Sequence, residues 1–445
     1  MRAASPSGSG QAASAAPPRP VFLGPWSRRA LHARVALHVV ARYTGETLRG
    51  KMPLAVYPRF LYRALLFLRA LRHDKPVRLG RLYKLQLYLP AYPSPAFFHA
   101  LSKLYRPVPG PVSVVLSMTR ACTYRCPHCY QRKDGGADVD LPLVIDVARE
   151  MQELGVSFFN IEGGEPLERP ERLIALLRAI DARGESWVNT TGVKLTDELA
   201  ARLRDAGLGG VMVSLHTPHA AEHDRFTGVP GSFDTACRAL ECFACAGVFT
   251  AINCCASPAL VVSGGLARLF DLGRDLHCAF IQVIHEKSAG AWLGREVWSD
   301  GPSAPLARLR AMHLDYNEKR ALRDHPSCAA QVFDEQPDYF GCTAGGVDRF
   351  YVGASGEVQP CEFLNVSFGN VSEEPFATIF ARMREYFPRP GTDWLCCTQA
   401  GSIARAIAAH GLTRTPVPWE VTRELVSSWT KGGETRLYKR LGIYR

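Results

Sequence analysis

The 445-residue chain lacks any apolar run of the roughly 18 residues that a membrane-spanning helix requires. It also lacks a convincing secretory signal peptide, so its fourteen cysteines indicate a reducing compartment, where clustered thiols bind metals or do chemistry. We therefore expect a cytoplasmic protein. With 47% apolar and 21% charged residues, the chain is too long and too apolar to be disordered, and it should form two or three domains.

Acidic residues are scarce in the N-terminal quarter of the chain. Residues 1–110 contain 18 Lys or Arg against 2 acids, whereas the rest of the chain contains 35 against 40. Large apolar residues alternate with these cations, which predicts basic amphipathic helices. Such helices either lie at the surface of an anionic membrane or pack as a layer on the main domain, and the sequence leaves both open. No known nucleic-acid-binding module is present, so nucleic acid is not expected as a partner.

From residue 112 onward the chain alternates short apolar strands with amphipathic helices that end at glycines, a pattern typical of repeated β/α units. Six strands are predicted, over residues 112–118, 156–162, 186–192, 211–216, 249–254 and 279–285. The predicted fold class is α/β, a partial (β/α)6 TIM-like barrel with a helical N-terminal extension and a small α+β C-terminal auxiliary domain. In parallel barrels, functional residues collect where strands end.

Three cysteines follow the first predicted strand at a spacing that suits a metal cluster. Cys122, Cys126 and Cys129 form a CxxxCxxC motif, which can hold three irons of a [4Fe-4S] cluster and leave the fourth iron open to a small molecule. A structural zinc site, with His128 or a distant residue as the fourth ligand, is the alternative.

A glycine turn follows the second predicted strand, and a zinc site gives no reason for it. The turn consists of Gly163, Gly164, Glu165 and Pro166. With the CxxxCxxC motif, the region from about residue 112 to 285 resembles the radical S-adenosylmethionine (SAM) enzymes. The resemblance implies that the three cysteines ligate the cluster and that the glycine turn binds the methionine part of SAM. Glycines suit this position because they let the backbone approach a ligand closely.

Polar residues at the ends of later strands are further candidates for contacts with SAM. Thr190 and Thr191 follow the third strand, Ser214 lies at the end of the fourth, and Asn253 lies on the fifth. The alternative for each is a buried polar group that hydrogen-bonds to the backbone.

A second set of cysteines lies near the C-terminus. The segment from Cys342 to Cys361, with a predicted hairpin over 350–361, resembles the auxiliary-cluster extensions called SPASM or twitch domains. The adjacent Cys396 and Cys397 follow, and Cys328 is another candidate ligand. The resemblance implies one auxiliary iron-sulfur cluster, not a complete two-cluster SPASM domain. Adjacent cysteines in extended backbone point to opposite faces, so a degenerate extension without a cluster is the alternative.

The sequence thus predicts a radical SAM enzyme that reductively cleaves SAM and abstracts hydrogen from an unidentified substrate, with peptides and lipids or isoprenoids favoured. The resemblance implies a reductant such as flavodoxin or ferredoxin. A non-catalytic iron-sulfur protein for electron transfer or sensing is the alternative. The predicted segments are a disordered tail over 1–20, a basic helical extension over 21–110, the core barrel over 111–286, a connector over 287–340, the SPASM/twitch-like domain over 341–398 and a helical tail over 399–445.

Overall fold

The computed structural model describes residues 19–295, 298 and 304–444. The tail predicted over 1–20 lies almost wholly outside these residues. The strands are β1 (Val21–Phe22), β2 (Val77–Leu79), β3 (Leu82–Lys84), β4 (Ser113–Ser117), β5 (Phe158–Glu162), β6 (Glu185–Thr190), β7 (Leu208–Ser214), β8 (Phe249–Ala256), β9 (Phe280–His285), β10 (Ser327–Ala330), β11 (Arg349–Val352) and β12 (Val358–Gln359).

Helices alternate with the strands through the middle of the chain and dominate both ends. They are α1 (Pro25–Leu48), α2 (Tyr57–Ala70), α3 (Pro95–Leu101), α4 (Leu141–Leu154), α5 (Pro170–Ala179), α6 (Asp197–Asp205), α7 (Ala220–Thr227), α8 (Ser232–Ala246), α9 (Pro258–Val262), α10 (Gly265–Asp275), α11 (Ala304–Glu318), α12 (Gln331–Asp334), α13 (Phe376–Tyr386), α14 (Leu395–Thr398), α15 (Ala400–Ala409), α16 (Trp419–Ser427) and α17 (Arg436–Leu441).

The six predicted core strands form one parallel sheet in chain order, from β4 to β9. Their boundaries follow from local sequence. Helix α4 begins with Pro142 in its first turn and ends at Gly155, whose φ of +121° few other residues adopt, and Thr196 caps α6 by accepting a hydrogen bond from the backbone of Leu199. The α/β barrel prediction is confirmed.

The sheet extends beyond the six predicted strands at both edges. Strand β10 pairs in parallel with β9, and β11 pairs in parallel with β4, while β12 adds an antiparallel edge. The segment predicted as a connector over 287–340 therefore contributes a strand to the sheet. The first strand of the hairpin predicted over 350–361 likewise pairs with the barrel sheet, through β4.

The N-terminal extension covers the end of the barrel where the strands begin. It contains helices, as predicted, but also a small antiparallel sheet of β1, β2 and β3 that the sequence did not reveal. The fully buried Lys84 Nζ forms an ion pair with Glu185 at the start of β6, 2.8 Å away, and lies over the rings of Phe158 and Trp187. The extension thus closes one end of the barrel and leaves the cysteine motif at the other. No helix in the described part of the chain has the length and apolarity to cross a membrane.

Candidate active site

A cavity of about 390 Å³ lies at the barrel end where the strands terminate. Each predicted cluster ligand and each predicted SAM contact except Pro166 lines it. These residues are Cys122, Cys126, Cys129, Gly163, Gly164, Glu165, Thr190, Thr191, Ser214 and Asn253. Pro166 instead begins a short 3-10 turn behind the cavity wall and is buried. The structure therefore brings together residues that are spread over about 130 positions of the sequence.

The glycine turn lies directly against the loop that leads into the cysteine motif. The Gly164 N–H donates to the Thr119 carbonyl at 2.6 Å, and the Glu165 N–H donates to the Ala121 carbonyl at 2.7 Å. A Cβ at Gly163 would overlap Thr119, and a Cβ at Gly164 would overlap Ala121. Both glycines are thus required by close backbone approach, which places the turn beside the first cysteine.

Glu165 fixes the glycine turn to the end of β6. Its carboxylate accepts hydrogen bonds from the Thr190 hydroxyl at 2.6 Å and from both the backbone and the hydroxyl of Thr191, at 2.7 and 2.6 Å. The same carboxylate accepts from the Leu167 N–H at 3.0 Å and so caps the turn. Burial raises the pKa of Glu165, which these four hydrogen bonds oppose. Thr190 and Thr191 therefore position Glu165 as well as lining the cavity.

The three motif thiols suit a cationic cluster. Cys122 is exposed, and Cys126 and Cys129 are half-buried. Burial raises the pKa of Cys122 to about 11 and that of Cys126 to about 12, with the neighbouring thiols adding to the rise. Iron binding requires thiolates, and a metal cation supplies the positive charge that would stabilise them here. The donor set therefore fits a cluster held by three cysteines.

Deeper in the barrel, several buried polar atoms have no hydrogen-bond partner among the residues that the structure describes. They are Asn160 Oδ1, Glu162 Oε1, Asn189 Oδ1, Gln282 Oε1 and His285 Nδ1. Glu162 is the one acid in this list. Burial, with a contribution from the nearby Glu362, raises its pKa to about 8. These side chains come from three strands of the barrel, β5, β6 and β9, so this part of the barrel is polar and has unpaired hydrogen-bonding atoms. Buried polar atoms of this kind usually hydrogen-bond to a ligand or to water.

The second set of cysteines also comes together, beneath the cavity. Cys396 lies within electrostatic reach of Cys342 and Cys361, and its thiol hydrogen-bonds with that of Cys397. That hydrogen bond, with help from Lys287, lowers the pKa of Cys396 to about 7 although the residue is buried. The backbone N–H groups of two further residues hydrogen-bond to Cys342. Cys396 thus lies near the three other cysteines predicted as auxiliary ligands, of which Cys361 is buried and Cys342 and Cys397 are half-buried.

Two expectations about these cysteines need correction. Cys328 lies in β10 beside Lys75 and Asp334, so the structure gives it no place among the auxiliary cysteines. The adjacent Cys396 and Cys397 lie in the helical turn of α14, not in extended backbone, so their side chains do not point to opposite faces.

Cations accompany the second set of cysteines, and sequence reasoning missed them. Burial disfavours the charged form of Lys287, but the Cys396 and Cys397 sulfurs outweigh burial and raise the pKa of Lys287. Arg349 forms an ion pair with Glu335 and also lies near Cys361 and Cys342. No local pattern marks Lys287 or Arg349 in the sequence, because their roles depend on segments far apart in the chain.

A short loop after β9 connects the two sets of cysteines. The Ala291 N–H donates to the Cys129 carbonyl at 3.1 Å, and the Gly290 N–H donates to the Asn365 side chain at 2.8 Å. A Cβ at Gly290 would overlap the backbone of Tyr130, whose ring packs edge-on against Phe363. Lys287 and Phe363 both line the cavity, so the second site borders the first.

Comparisons with known proteins agree with this arrangement. The model of the Radical SAM superfamily matches residues 116–258, and that of an iron-sulfur cluster-binding domain, SPASM, matches residues 342–398. An AdoMet-dependent heme synthase of Methanosarcina barkeri is 26% identical over 68% of this chain and 94% of its own length. A PqqA peptide cyclase of Methylocella silvestris is 24% identical over 64% of this chain and 75% of its own length.

Among solved structures, Streptococcus suis SuiB bound to S-adenosylmethionine is similar to this chain with a TM-score of 0.52. It is 17% identical in sequence, and the match covers 77% of this chain and 80% of SuiB. That likeness supports the shared fold. The chain therefore carries a radical SAM domain followed by an iron-sulfur cluster-binding domain, which confirms the family predicted from the two motifs and implies [4Fe-4S] and SAM as cofactors.

Proposed function

We propose that this radical SAM enzyme abstracts hydrogen from a peptide that enters the barrel at the cysteine end. Cys122, Cys126 and Cys129 would hold the cluster, which when bound and reduced would supply the electron for the cleavage of SAM. The glycine turn and the polar residues at the ends of β6, β7 and β8 hold SAM beside the cluster. The protein orients the reactants and limits the access of water to the radical.

The polar barrel interior is the observation that carries the choice of a peptide. Asn160, Glu162, Asn189, Gln282 and His285 leave buried polar atoms without a protein partner. A peptide offers amide donors and acceptors that can satisfy them, whereas an isoprenoid or acyl chain offers none. The name of one relative, PqqA peptide cyclase, is compatible with a peptide substrate.

An auxiliary iron-sulfur cluster at Cys342, Cys361, Cys396 and Cys397 is part of this proposal. The gathered thiols, the low pKa of Cys396 and the cations Lys287 and Arg349 support it, because positive charge stabilises thiolate ligands in a buried site. We further propose that the enzyme works in the cytoplasm and takes its electrons from a flavodoxin or a ferredoxin.

A lipid or isoprenoid is the second candidate substrate, since the N-terminal helices expose apolar side chains among basic ones. The test uses reconstituted enzyme and an extract of source cells that carry the Cys126→Ala variant, separated into a peptide fraction and a lipid fraction. Formation of 5′-deoxyadenosine above the rate without extract is measured with each fraction. We expect the peptide fraction to stimulate it.

Each other result of this experiment has a defined meaning. Stimulation by the lipid fraction alone would replace the peptide by a lipid. If neither fraction stimulates and the native enzyme also fails to cleave SAM under reduction, the non-catalytic iron-sulfur alternative is favoured. The Cys126→Ala protein is the matched control and should form no 5′-deoxyadenosine with either fraction.

A further inference from the structure

Apolar side chains are exposed mainly on one part of the molecule. Among the described residues, nine of the ten large hydrophobic side chains that are exposed lie between residues 21 and 108, and Val262 is the tenth. Seven of the nine lie on α1, on α2 or on the loop between them. We call these seven the outer face: Trp26, Leu37, Val40, Leu48, Leu54, Tyr62 and Leu65.

The outer face runs along the side of α1 that is turned away from the protein core. Trp26, Leu37 and Leu48 recur every eleven residues, about three helical turns, so they lie on one side of the helix. Trp26 is 81% exposed and Leu48 is 83% exposed. The opposite side of α1, including Val35 and Val39, is completely buried. The helix is thus apolar on two sides, only one of which the protein covers.

Positive charge surrounds the outer face. Between residues 25 and 72 the chain has ten Lys or Arg and a single acid, Glu46, which is paired with Arg42 at 3.2 Å. Arg28 and Arg63 point inward and donate to backbone carbonyls of distant segments. The other eight cations are exposed: Arg29, Arg34, Arg42, Arg49, Lys51, Arg59, Arg69 and Arg72. So dense a set of exposed cations favours a negatively charged partner.

We propose that the outer face docks on an anionic lipid bilayer. An apolar helix face with Trp, Leu and Tyr between cations is suited to the boundary between lipid headgroups and acyl chains, where apolar burial and charge attraction act together. An acidic protein surface would match the charge but would not cover an apolar stripe that is about 33 Å long from Trp26 to Leu48. The proposal goes beyond the chemistry of the barrel and concerns where the enzyme works.

Docking on this face leaves the active site free. Helix α1 packs on residues 83–98 through the Tyr43 hydroxyl, which donates to the Phe98 carbonyl at 3.0 Å, and through Arg34, which lies over the ring of Tyr83. That segment in turn covers the starting ends of the barrel strands through Lys84. The outer face and the cysteine motif therefore lie at opposite ends of the barrel, and vesicle binding should leave the rate of SAM cleavage unchanged.

Co-sedimentation of the full-length reconstituted protein with vesicles tests the proposal. We expect at least about tenfold tighter binding to phosphatidylcholine vesicles that contain about 30% phosphatidylglycerol than to pure phosphatidylcholine. Salt at about 0.5 M should release the protein, since it screens the attraction between surface charges. The emission of Trp26 should shift to shorter wavelength on binding, and the Trp26→Phe variant should lose that part of the shift.

A pair of variants with the same charge change locates the binding surface. Leu48→Glu should weaken binding to anionic vesicles by about tenfold. Val262→Glu, at the exposed apolar residue outside the N-terminal region, should bind like the native protein. Both variants should cleave SAM at the native rate, which shows that they are folded.

Three results would overturn the proposal. The first is a native protein that stays in solution with anionic vesicles, and the second is equal binding by the two variants. The third is a native dimer in sedimentation velocity that Leu48→Glu dissociates, because the outer face would then be covered by a second copy of the chain. Failure of SAM cleavage in all proteins would instead count against the proposed function.

Discussion

The two sets of cysteines differ most at one thiol, Cys396. Cys122, Cys126 and Cys129 lie close together in sequence, reach the surface of the cavity, and have thiols whose pKa burial raises. Cys342, Cys361 and Cys396 are far apart in sequence, and burial likewise raises the pKa of Cys342 to about 11 and that of Cys361 above its usual value. At Cys396, however, a hydrogen bond from Cys397 and the cation Lys287 lower the pKa to about 7 although the residue is buried.

This difference matches two roles for iron-sulfur sites. A cluster that binds SAM needs one iron open to the cavity, so its cysteine ligands lie on a loop there. Much of the charge of such a cluster is balanced by the SAM that binds to it. A buried cluster has no access to solvent, so protein cations must supply the balance. The difference is consistent with the proposal that SAM binds at the first set of cysteines.

The largest expected effect comes from removing a ligand of the first set. Cys126→Ala should abolish SAM cleavage, because it removes one of the three proposed cluster ligands, and the other thiol that lines the cavity, Cys255, lies on β8 outside the motif. The measurement is 5′-deoxyadenosine formation by anaerobically reconstituted protein under reduction. The control is Cys245→Ala, which changes an exposed thiol on α8 and should leave the rate unchanged. Normal 5′-deoxyadenosine formation by Cys126→Ala would refute the assignment of the first site.

The next effect concerns the loop that joins the two sites. Gly290 has φ +53°, and a Cβ there would overlap the backbone of Tyr130. We expect Gly290→Ala to lower substrate turnover about tenfold and the free energy of unfolding by about 1–3 kcal/mol. Turnover and urea unfolding are measured together.

Gly294→Ala is the matched control for this change. Gly294 also has a positive φ, +84°, but a Cβ there would meet only the Ala404 side chain at 3.4 Å. The Gly294→Ala variant should therefore lose free energy of unfolding through backbone strain but keep the native rate of turnover. Equal losses of turnover in both variants would mean that strain in the loop, and not contact with the cysteine motif, limits the reaction.

The iron content of the protein tests whether the second set of cysteines holds a cluster, and removing one of these cysteines should change it twofold. The native chain should bind about eight irons after reconstitution, and Cys361→Ala about four, because each [4Fe-4S] cluster contributes four. Iron is measured against protein concentration, and Cys328→Ala, which changes a buried thiol away from the site, serves as the control. About four irons in the native protein would show that the gathered thiols hold no cluster.

The barrel and the first site could be predicted because their signals are local. Each strand from β4 to β9 is an apolar run flanked by turn residues and a periodic helix, and the cysteines and glycines of the first site lie in two short motifs. The same holds for Thr190 and Thr191, which follow a strand directly.

The missed elements depend on contacts between distant segments. Strand β10 has only four residues, too few for a clear pattern, and it is defined by its neighbour β9. Strand β11 was expected as part of the predicted hairpin, but its pairing with β4 depends on a segment far away in the chain. Lys287 carries no motif, and its importance follows from cysteines more than a hundred positions away. Glu162 is the exception, since it directly precedes the glycine turn and could have been suspected from that position.

Glu162 should make the stability of the protein depend on pH, and this dependence tests whether the two sites share one electrostatic environment. Burial, with a contribution from Glu362 beside Cys361, raises the pKa of Glu162 to about 8 from a usual value near 4.5. In the unfolded chain this carboxyl ionises at the lower pH, so the native state loses stability as pH rises from about 4.5 and the loss levels off above about 8. Glu162→Gln removes that loss. The difference in unfolding free energy between variant and native protein should grow by up to about 1.4 kcal/mol per pH unit across this window, measured by urea unfolding at pH 5.5, 7 and 8.5.

The control Glu171→Gln changes an exposed acid on α5 and should show no such slope. A flat difference for Glu162→Gln would mean that the carboxyl is already ionised in the folded protein and that the barrel interior accommodates its charge.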